Sequence, residues 1–240
     1  MTISPAITED YRPSDETIDL VRATNILLLV GVAGAGKDTL KHELLRDEAF
    51  RDLVSHTTRA PRINNGIPEV DGDDYHFINA KTAEAMIVRR EFVEVKYVHG
   101  TIYGTSAQEL SLAHSEHRTA LTDIDVQGVV EYKELSPAVS AVFIVPPDYD
   151  TWISRLSRRY ESPEEFTSEW PKRRASALRE LRTALDSEYY QFVVNDDLAH
   201  AVEQVLAIQS SANGLSSADD SAARAVAERL LETISVQVER

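Results

Sequence analysis

The sequence predicts a layered α/β fold, a mostly parallel sheet flanked by helices with a small β-rich insertion. Three observations carry that expectation. From Asn25 onward, short apolar runs alternate with helix-patterned segments, as strands and their crossover helices do. A glycine-rich stretch, Gly31 to Lys37, lies directly between one such run and a helical pattern. Between Asp74 and Thr105 the helical spacing gives way to "YHFI", "EFVEVKYV" and a turn at "HGTIYG".

Taken in order, Met1 to about Thr24 has weak periodicity with scattered proline, serine and acid, and reads as a partly disordered tail. Ile26 to Val30 is an unbroken apolar run that suits a buried strand. A helix is expected over Thr39 to Phe50 and a strand over Leu53 to His56. The β-rich segment carries one short helix near Ala83 to Arg89. Further strands are expected at Thr119 to Ile124, Ala141 to Val145 and Gln191 to Val194, with helices at Asp148 to Arg159, Arg173 to Leu185 and Ala199 to Ile208. "SSANGLSSADD" has a linker's composition. Beyond it, Ala223, Ala227, Leu230, Leu231, Ile234 and Val238 share one helical face. The expected organisation is a tail over 1–24, a main domain over 25–209, a linker over 210–221 and an amphipathic helix over 222–240.

The 240 residues, 42% of them hydrophobic, are enough to bury a real core. Neither a membrane-length apolar span nor a charged-then-apolar leader is evident, so the chain reads as soluble and cytoplasmic. With no cysteine there is no disulfide or thiolate metal site, and any metal would be a hard cation on oxygen or zinc on histidine and carboxylate. A formal charge of −15 argues against nucleic acid as a partner, because phosphate contacts along a duplex need a basic face. The basic residues are bunched: Lys37, then Arg59 with Arg62, then a dense run from Arg155 to Arg182.

Gly31, Gly34, Gly36 and Lys37 have the G-x-x-x-x-G-K spacing of a phosphate-binding loop, with Val32, Ala33 and Ala35 between them. Glycines let backbone N–H groups face phosphate without Cβ interference, and the following helix start adds partial positive charge. The next residue is normally serine or threonine; here it is Asp38, followed by Thr39. A carboxylate is also a hard oxygen ligand, so Asp38 is a candidate for Mg²⁺, and Thr39 could supply a hydroxyl one position later. Asp38 could equally act as an acid in the first helical turn.

Further segments follow in a definite order: "SHTTRAPR", with two arginines placed to fork a phosphate, then "EVDGDDYHFI", "EFVEV", "HGTIYGTS", "LTDIDVQGV", the arginine run and "FVVNDDLAHA". In this order and spacing, with the glycine-rich loop, the chain resembles the guanylate kinase family from about Asn25 to Ala207. The resemblance implies a P-loop kinase core, a small GMP-binding insertion over about 57–105 and a helical lid over about 158–174. It implies that Arg59, Arg62, Tyr75 and Tyr103 hold the acceptor's phosphate and that Ser55, Glu94, Thr105 and Asp123 hold its base. Arg155, Arg159 and Arg173 match the lid and its hinge helices, and Asn195 falls near the donor's adenine. The activity implied is transfer of the γ-phosphoryl group of ATP to GMP with Mg²⁺, the partners being those two nucleotides. The residues agree at Glu94: guanine presents N1–H and an exocyclic amine side by side, and a carboxylate has two acceptors and no donor.

Three departures stand out: Asp38, about four extra residues between Arg62 and Glu69, and a long segment from Tyr160 to Lys172 with no glycine after Arg159. Two rival readings follow. Ribose 1,5-bisphosphate kinase, a related enzyme, has the same "GKD" but lacks much of the guanine-recognition set, which Glu94, Thr105 and Asp123 retain here. Non-catalytic guanylate-kinase-like modules of scaffolding proteins have degenerate phosphate loops, whereas Lys37, the three loop glycines and both clamp arginines are present. Oligomeric state is not legible.

Overall fold

Residues 6–64, 67–98, 100–210 and 215–236 are described in the computed structural model. The chain opens with helices α1 (Ala6–Glu9) and α2 (Asp15–Ala23), then β1 (Ile26–Val30) and α3 (Lys37–Leu44). Short strands follow: β2 (Phe50–Asp52), β3 (His56–Thr57), β4 (Ile63–Asn64), β5 (Ile67–Pro68) and β6 (His76–Phe77). Next come α4 (Ala80–Val88), β7 (Phe92–Val98), β8 (Thr101–Ser106), α5 (Ala107–Ser115), β9 (Thr119–Asp123) and α6 (Val126–Leu135). The chain continues through β10 (Ser140–Val145), α7 (Tyr149–Ser157), α8 (Pro163–Leu185), β11 (Tyr190–Val194), α9 (Leu198–Ser210) and α10 (Ser217–Val236).

The main sheet has the strand order β11-β10-β1-β9-β2. β1 runs parallel to β10, β10 parallel to β11, and β2 parallel to β9. Every residue of β1 is buried, as is β10 after Ser140, which is why both read as continuous apolar runs. This is the expected α/β fold.

Contacts divide the chain into two compact units. Unit 1 comprises Met1–Ile26, Glu48–Thr122 and Val130–Val139; unit 2 comprises Leu27–Asp47, Asp123–Val129 and Ser140–Arg240. Unit 1 contains the four-stranded sheet β6-β3-β8-β7. Its core gathers Ala83, Ile87, Phe92, Val95 and Ile102, with Ile7 and Tyr11 packed against it.

The N-terminal segment departs from the expected tail. Ser14 caps α2 by accepting from the Thr17 amide, Asp15 and Glu16 sit in its first turn, and Thr17 and Val21 are buried. The helix packs on α5 and β7. The Tyr11 hydroxyl donates to the Phe92 carbonyl at 2.6 Å and accepts from the Phe92 amide at 2.9 Å. Nine residues are too few for their periodicity to stand out, and tertiary packing supplies what propensity does not.

Other boundaries shift for local reasons. Helix α3 starts at Lys37 and stops at Leu44, because the chain must turn to bring buried Phe50 into register with Thr119. Of the expected Leu53–His56 strand only His56 lies in a strand, β3; β2 ends at Asp52, and β2 and β3 belong to different sheets. Most of the segment expected as a helical lid, about 158–174, is helix, continuous with the expected Arg173–Leu185 helix: Ser162 caps α8, Pro163 occupies its first turn where no amide is needed, and one helix runs to Leu185. Pro171 sits inside it. In unit 2, α10 starts at Ser217, within the expected linker, and packs on α8 and β11; positions 211–214 and 237–240 of the expected linker and terminal helix lie outside the described residues.

Candidate active site

In unit 2, the loop after β1 is held from three sides. Gly36 has φ +90°, and a Cβ there would lie 2.3 Å from the Asn195 amide nitrogen, so only glycine fits. Asn195 itself donates to the Ala35 carbonyl at 2.9 Å, and the Trp152 indole donates to the Ala33 carbonyl at 2.8 Å. Gly31 is equally constrained, a Cβ there meeting the Ile144 carbonyl oxygen at 2.3 Å. The loop's backbone is thereby fixed with α3 starting at its end, the arrangement that presents amide groups to an anion.

Lys37, at the start of α3, turns its Nζ back on the loop, donating to the Gly31 carbonyl at 2.5 Å. Burial lowers its pKa, opposed by the carboxylates of Asp123, Glu180 and Asp38. Glu180, on α8, is a neighbour that the motifs do not reveal. It bonds the Ser176 hydroxyl at 2.8 Å, and burial raises its pKa while Lys37 pulls it down. Asp38 pairs with Arg159, Nη2 to Oδ2 at 2.7 Å, and both side chains are exposed. Asp123, which ends β9, pairs with Lys41 at 3.2 Å and lies in this unit.

A cavity of about 350 Å³ opens against the loop, lined by Gly34, Gly36, Thr39, Arg155, Arg159 and Asn195 among others. Arg155 is anchored there by donating to the Asn195 carbonyl at 2.8 Å. Arg173 is not among the cavity's lining residues and is held by the Tyr160 hydroxyl at 2.7 Å.

In unit 1, Glu94 of β7 and Thr105 of β8 face each other across the antiparallel ladder. Glu94 is buried, and its Oε1 accepts from both the amide and the hydroxyl of Thr105 at 3.0 Å. Burial pushes the carboxyl up to about 7, against the Thr105 hydrogen bonds. Arg59 forms a two-pronged pair with Glu69, at 2.8 and 2.9 Å, and its guanidinium lies 5.2 Å from the Tyr75 ring centre. Tyr75 and Tyr103 meet edge to face, their centroids 6.1 Å apart. Arg62 is exposed and tied in through its amide, which donates to Glu69 at 2.7 Å. The Ser55 carbonyl accepts from the His76 amide at 2.9 Å.

Ser55, Arg59, Arg62, Tyr75, Glu94, Tyr103 and Thr105 thus belong to unit 1, and the glycine-rich loop, Asp123, Arg155, Arg159, Arg173 and Asn195 to unit 2, where Arg155, Arg159 and Asn195 line the cavity against the loop and Arg173 does not. Sequence reasoning passes over Glu69, Trp152 and Glu180. Glu69 stands inside the quoted "EVDGDDY" but shows no partner until the chain folds, and neither Trp152 nor Glu180 carries any local signal.

A parallel sheet, a glycine-rich strand-to-helix loop ending in lysine, and arginines beside it define a P-loop kinase. The guanylate kinase family model matches residues 23–212. The chain belongs to the guanylate kinase family. It is 38% identical over 180 residues to a guanylate kinase of Thiobacillus denitrificans, covering 75% of this chain and 82% of that one. It is 39% identical over 190 residues to one of Nitratidesulfovibrio vulgaris, covering 78% and 86%. A crystal structure of guanylate kinase from Anaplasma phagocytophilum superposes with a TM-score of 0.57 at 25% identity, covering 82% of this chain and 89% of that one.

Proposed function

We propose that this chain catalyses transfer of the γ-phosphoryl group of ATP to GMP, giving ADP and GDP. The observation that carries the reading is Glu94, a buried carboxylate locked by Thr105 in the same unit as the Arg59 clamp. Ionised, it accepts from both donors of guanine's edge, whereas adenine would meet it with the N1 lone pair. Arg59, Arg62, Tyr75 and Tyr103 take the acceptor's phosphate, and Ser55 and Thr105 complete its base contacts.

The fixed loop and Lys37 bind the donor's phosphates, with Asn195 near the adenine. Arg155, Arg159 and Arg173 offset charge on the phosphoryl group in transit. Such catalysis is positioning and charge neutralisation, so no protein nucleophile is required. The donor set in unit 2 fits Mg²⁺: Asp38, Thr39 and Asp123 offer hard oxygens, and the ion is ordinarily held by one or two carboxylates together with the nucleotide's phosphates. When bound, Mg²⁺ neutralises phosphate charge.

The test is ADP formation from ATP across GMP, dGMP, AMP, UMP, CMP and ribose 1,5-bisphosphate, with titrated Mg²⁺. GMP-dependent turnover supports the reading, and turnover with the sugar bisphosphate alone overturns it. Lys37→Met should reduce GMP-dependent turnover by roughly 10²- to 10³-fold; undiminished turnover removes Lys37 from the mechanism. Glu94→Gln should erode the preference for GMP over AMP.

A further inference from the structure

The Tyr11 hydroxyl makes two hydrogen bonds to one residue, donating to the Phe92 carbonyl at 2.6 Å and accepting from the Phe92 amide at 2.9 Å. Phe92 opens β7, the edge strand of the four-stranded sheet, where outward N–H and C=O groups have no strand to meet. It also opens a bulge. Phe92 pairs with Ser106 and Glu94 with Thr105, so β7 takes two steps against one of β8 and Val93 is the extra residue. The packing records the same slip: Phe92 and Val95, three positions apart, both enter the core with Ile102. In a regular strand Glu94 would share the face of Phe92, because side chains repeat every second residue. The bulge instead puts Glu94 opposite Thr105, whose amide and hydroxyl hold its carboxylate.

We infer that Tyr11 is a positioning residue that sets specificity: by bridging the Phe92 amide and carbonyl it holds the β7 bulge, and the bulge keeps Glu94 on the face where it meets the acceptor's base. The inference rests on the reading of Glu94 as the group that recognises the base. Tyr11, Phe92, Glu94 and Thr105 all belong to unit 1. The Tyr11 ring packs on the same core beside Ile7, which fixes where its hydroxyl points. Burial pushes the phenol up to about 12, so the proton donated to Phe92 stays in place at neutral pH.

The experiment uses the full chain and compares Tyr11→Phe with Ile7→Ala, which trims the packing of the same segment and keeps the hydroxyl. Well below the melting temperature, it measures KM for GMP and ATP, the ratio of kcat/KM for GMP over AMP, and amide hydrogen exchange across residues 92–94. Tyr11→Phe is expected to raise KM for GMP by about 2- to 10-fold, the worth of one neutral hydrogen bond, with KM for ATP unchanged. The GMP-over-AMP ratio should fall and exchange across 92–94 should quicken. Ile7→Ala should lower the melting temperature and leave the ratio close to wild type. Unaltered KM and ratio in Tyr11→Phe, whatever its melting temperature, overturn the inference and leave Tyr11 a strut. So does an Ile7→Ala enzyme that loses as much preference as Tyr11→Phe. Should Tyr11→Phe fail to fold, the wild-type protein decides: coupling is reciprocal, so saturating GMP should slow exchange of the Phe92 amide, and unchanged exchange overturns the inference. Glu94→Gln separates the two levels of reading. If it leaves GMP-over-AMP preference intact, the base-site reading itself fails; if it removes that preference while Tyr11→Phe changes nothing, only the role of Tyr11 fails.

Discussion

Arg159 donates to the Asp38 carboxylate at 2.7 Å, joining the residue after the loop lysine to the arginine that follows α7. Both side chains are largely exposed, so the pair contributes little to stability. Its importance lies in charge. A carboxylate beside phosphate is unfavourable unless a cation lies between them or Arg159 offsets it. Asp38→Ser should therefore leave the melting temperature nearly unchanged while tightening ATP binding in the presence of EDTA. Equal metal-free affinity in wild type and variant would remove Asp38 from the phosphate site.

Glu94 sets a pH dependence of known sign. Burial raises its pKa from 4.5 to about 7, so the folded protein holds the proton more tightly than the unfolded chain. The stability this confers is complete below about pH 4.5 and is lost as pH rises to about 7. Glu94→Gln should abolish that decline, which chemical denaturation at pH 5 and pH 8 can measure. GMP binding should run the opposite way, strengthening as the carboxyl ionises. The acceptor's own phosphate titrates near pH 6 in about the same range, so the comparison with the variant carries the test. An acid limb identical in wild type and Glu94→Gln would mean another group controls it.

The glycine-rich loop stands out by its own spacing, whereas Arg59, Arg62 and Glu94 become candidates only through the ordered set of motifs that carries the family resemblance. Their partners are not legible even so. Arg159 is 121 positions from Asp38, and Thr105 is 11 from Glu94 across a hairpin. Such pairings exist only after the strands and helices have packed. The parallel sheet was legible because strands buried on both faces are apolar throughout, as β1 is. Helix α2 escaped notice because only Thr17 and Val21 of its residues are buried, too little to mark a period.

Glu69 and Arg59 supply the third prediction. Their side chains are only 8% and 11% exposed, and Glu69 also accepts from the Arg62 amide. Removing one partner of a buried pair leaves a charge without compensation, so Glu69→Ala should cost about 3 kcal/mol in stability. Glu69 holds the Arg59 guanidinium, so under the proposed role of Arg59 at the acceptor's phosphate KM for GMP should rise more than KM for ATP. A variant with a normal melting curve and unchanged KM for GMP would show that Arg59 needs no such support.

The last prediction concerns α10, which caps an exposed ladder. β11 stands at the edge of the main sheet, where strand N–H and C=O groups lack a neighbour. The Phe192 amide instead donates to Asp220 at 2.8 Å, and Arg224 bonds both Asp220, at 2.8 Å, and the Tyr190 carbonyl, at 2.6 Å. The Arg224 guanidinium also lies 4.5 Å from the Phe192 ring centre. Ala223, Ala227, Leu230 and Ile234 bury the helix's apolar face below this network. Arg224→Ala removes the central donor and should destabilise the fold by about 2 kcal/mol, with the kinetic constants for both nucleotides unchanged at temperatures well below melting. Truncation before Ser217 should lower the melting temperature further, since it also uncovers that apolar face. A truncated chain that melts with the full-length protein would mean the edge of β11 needs no cover.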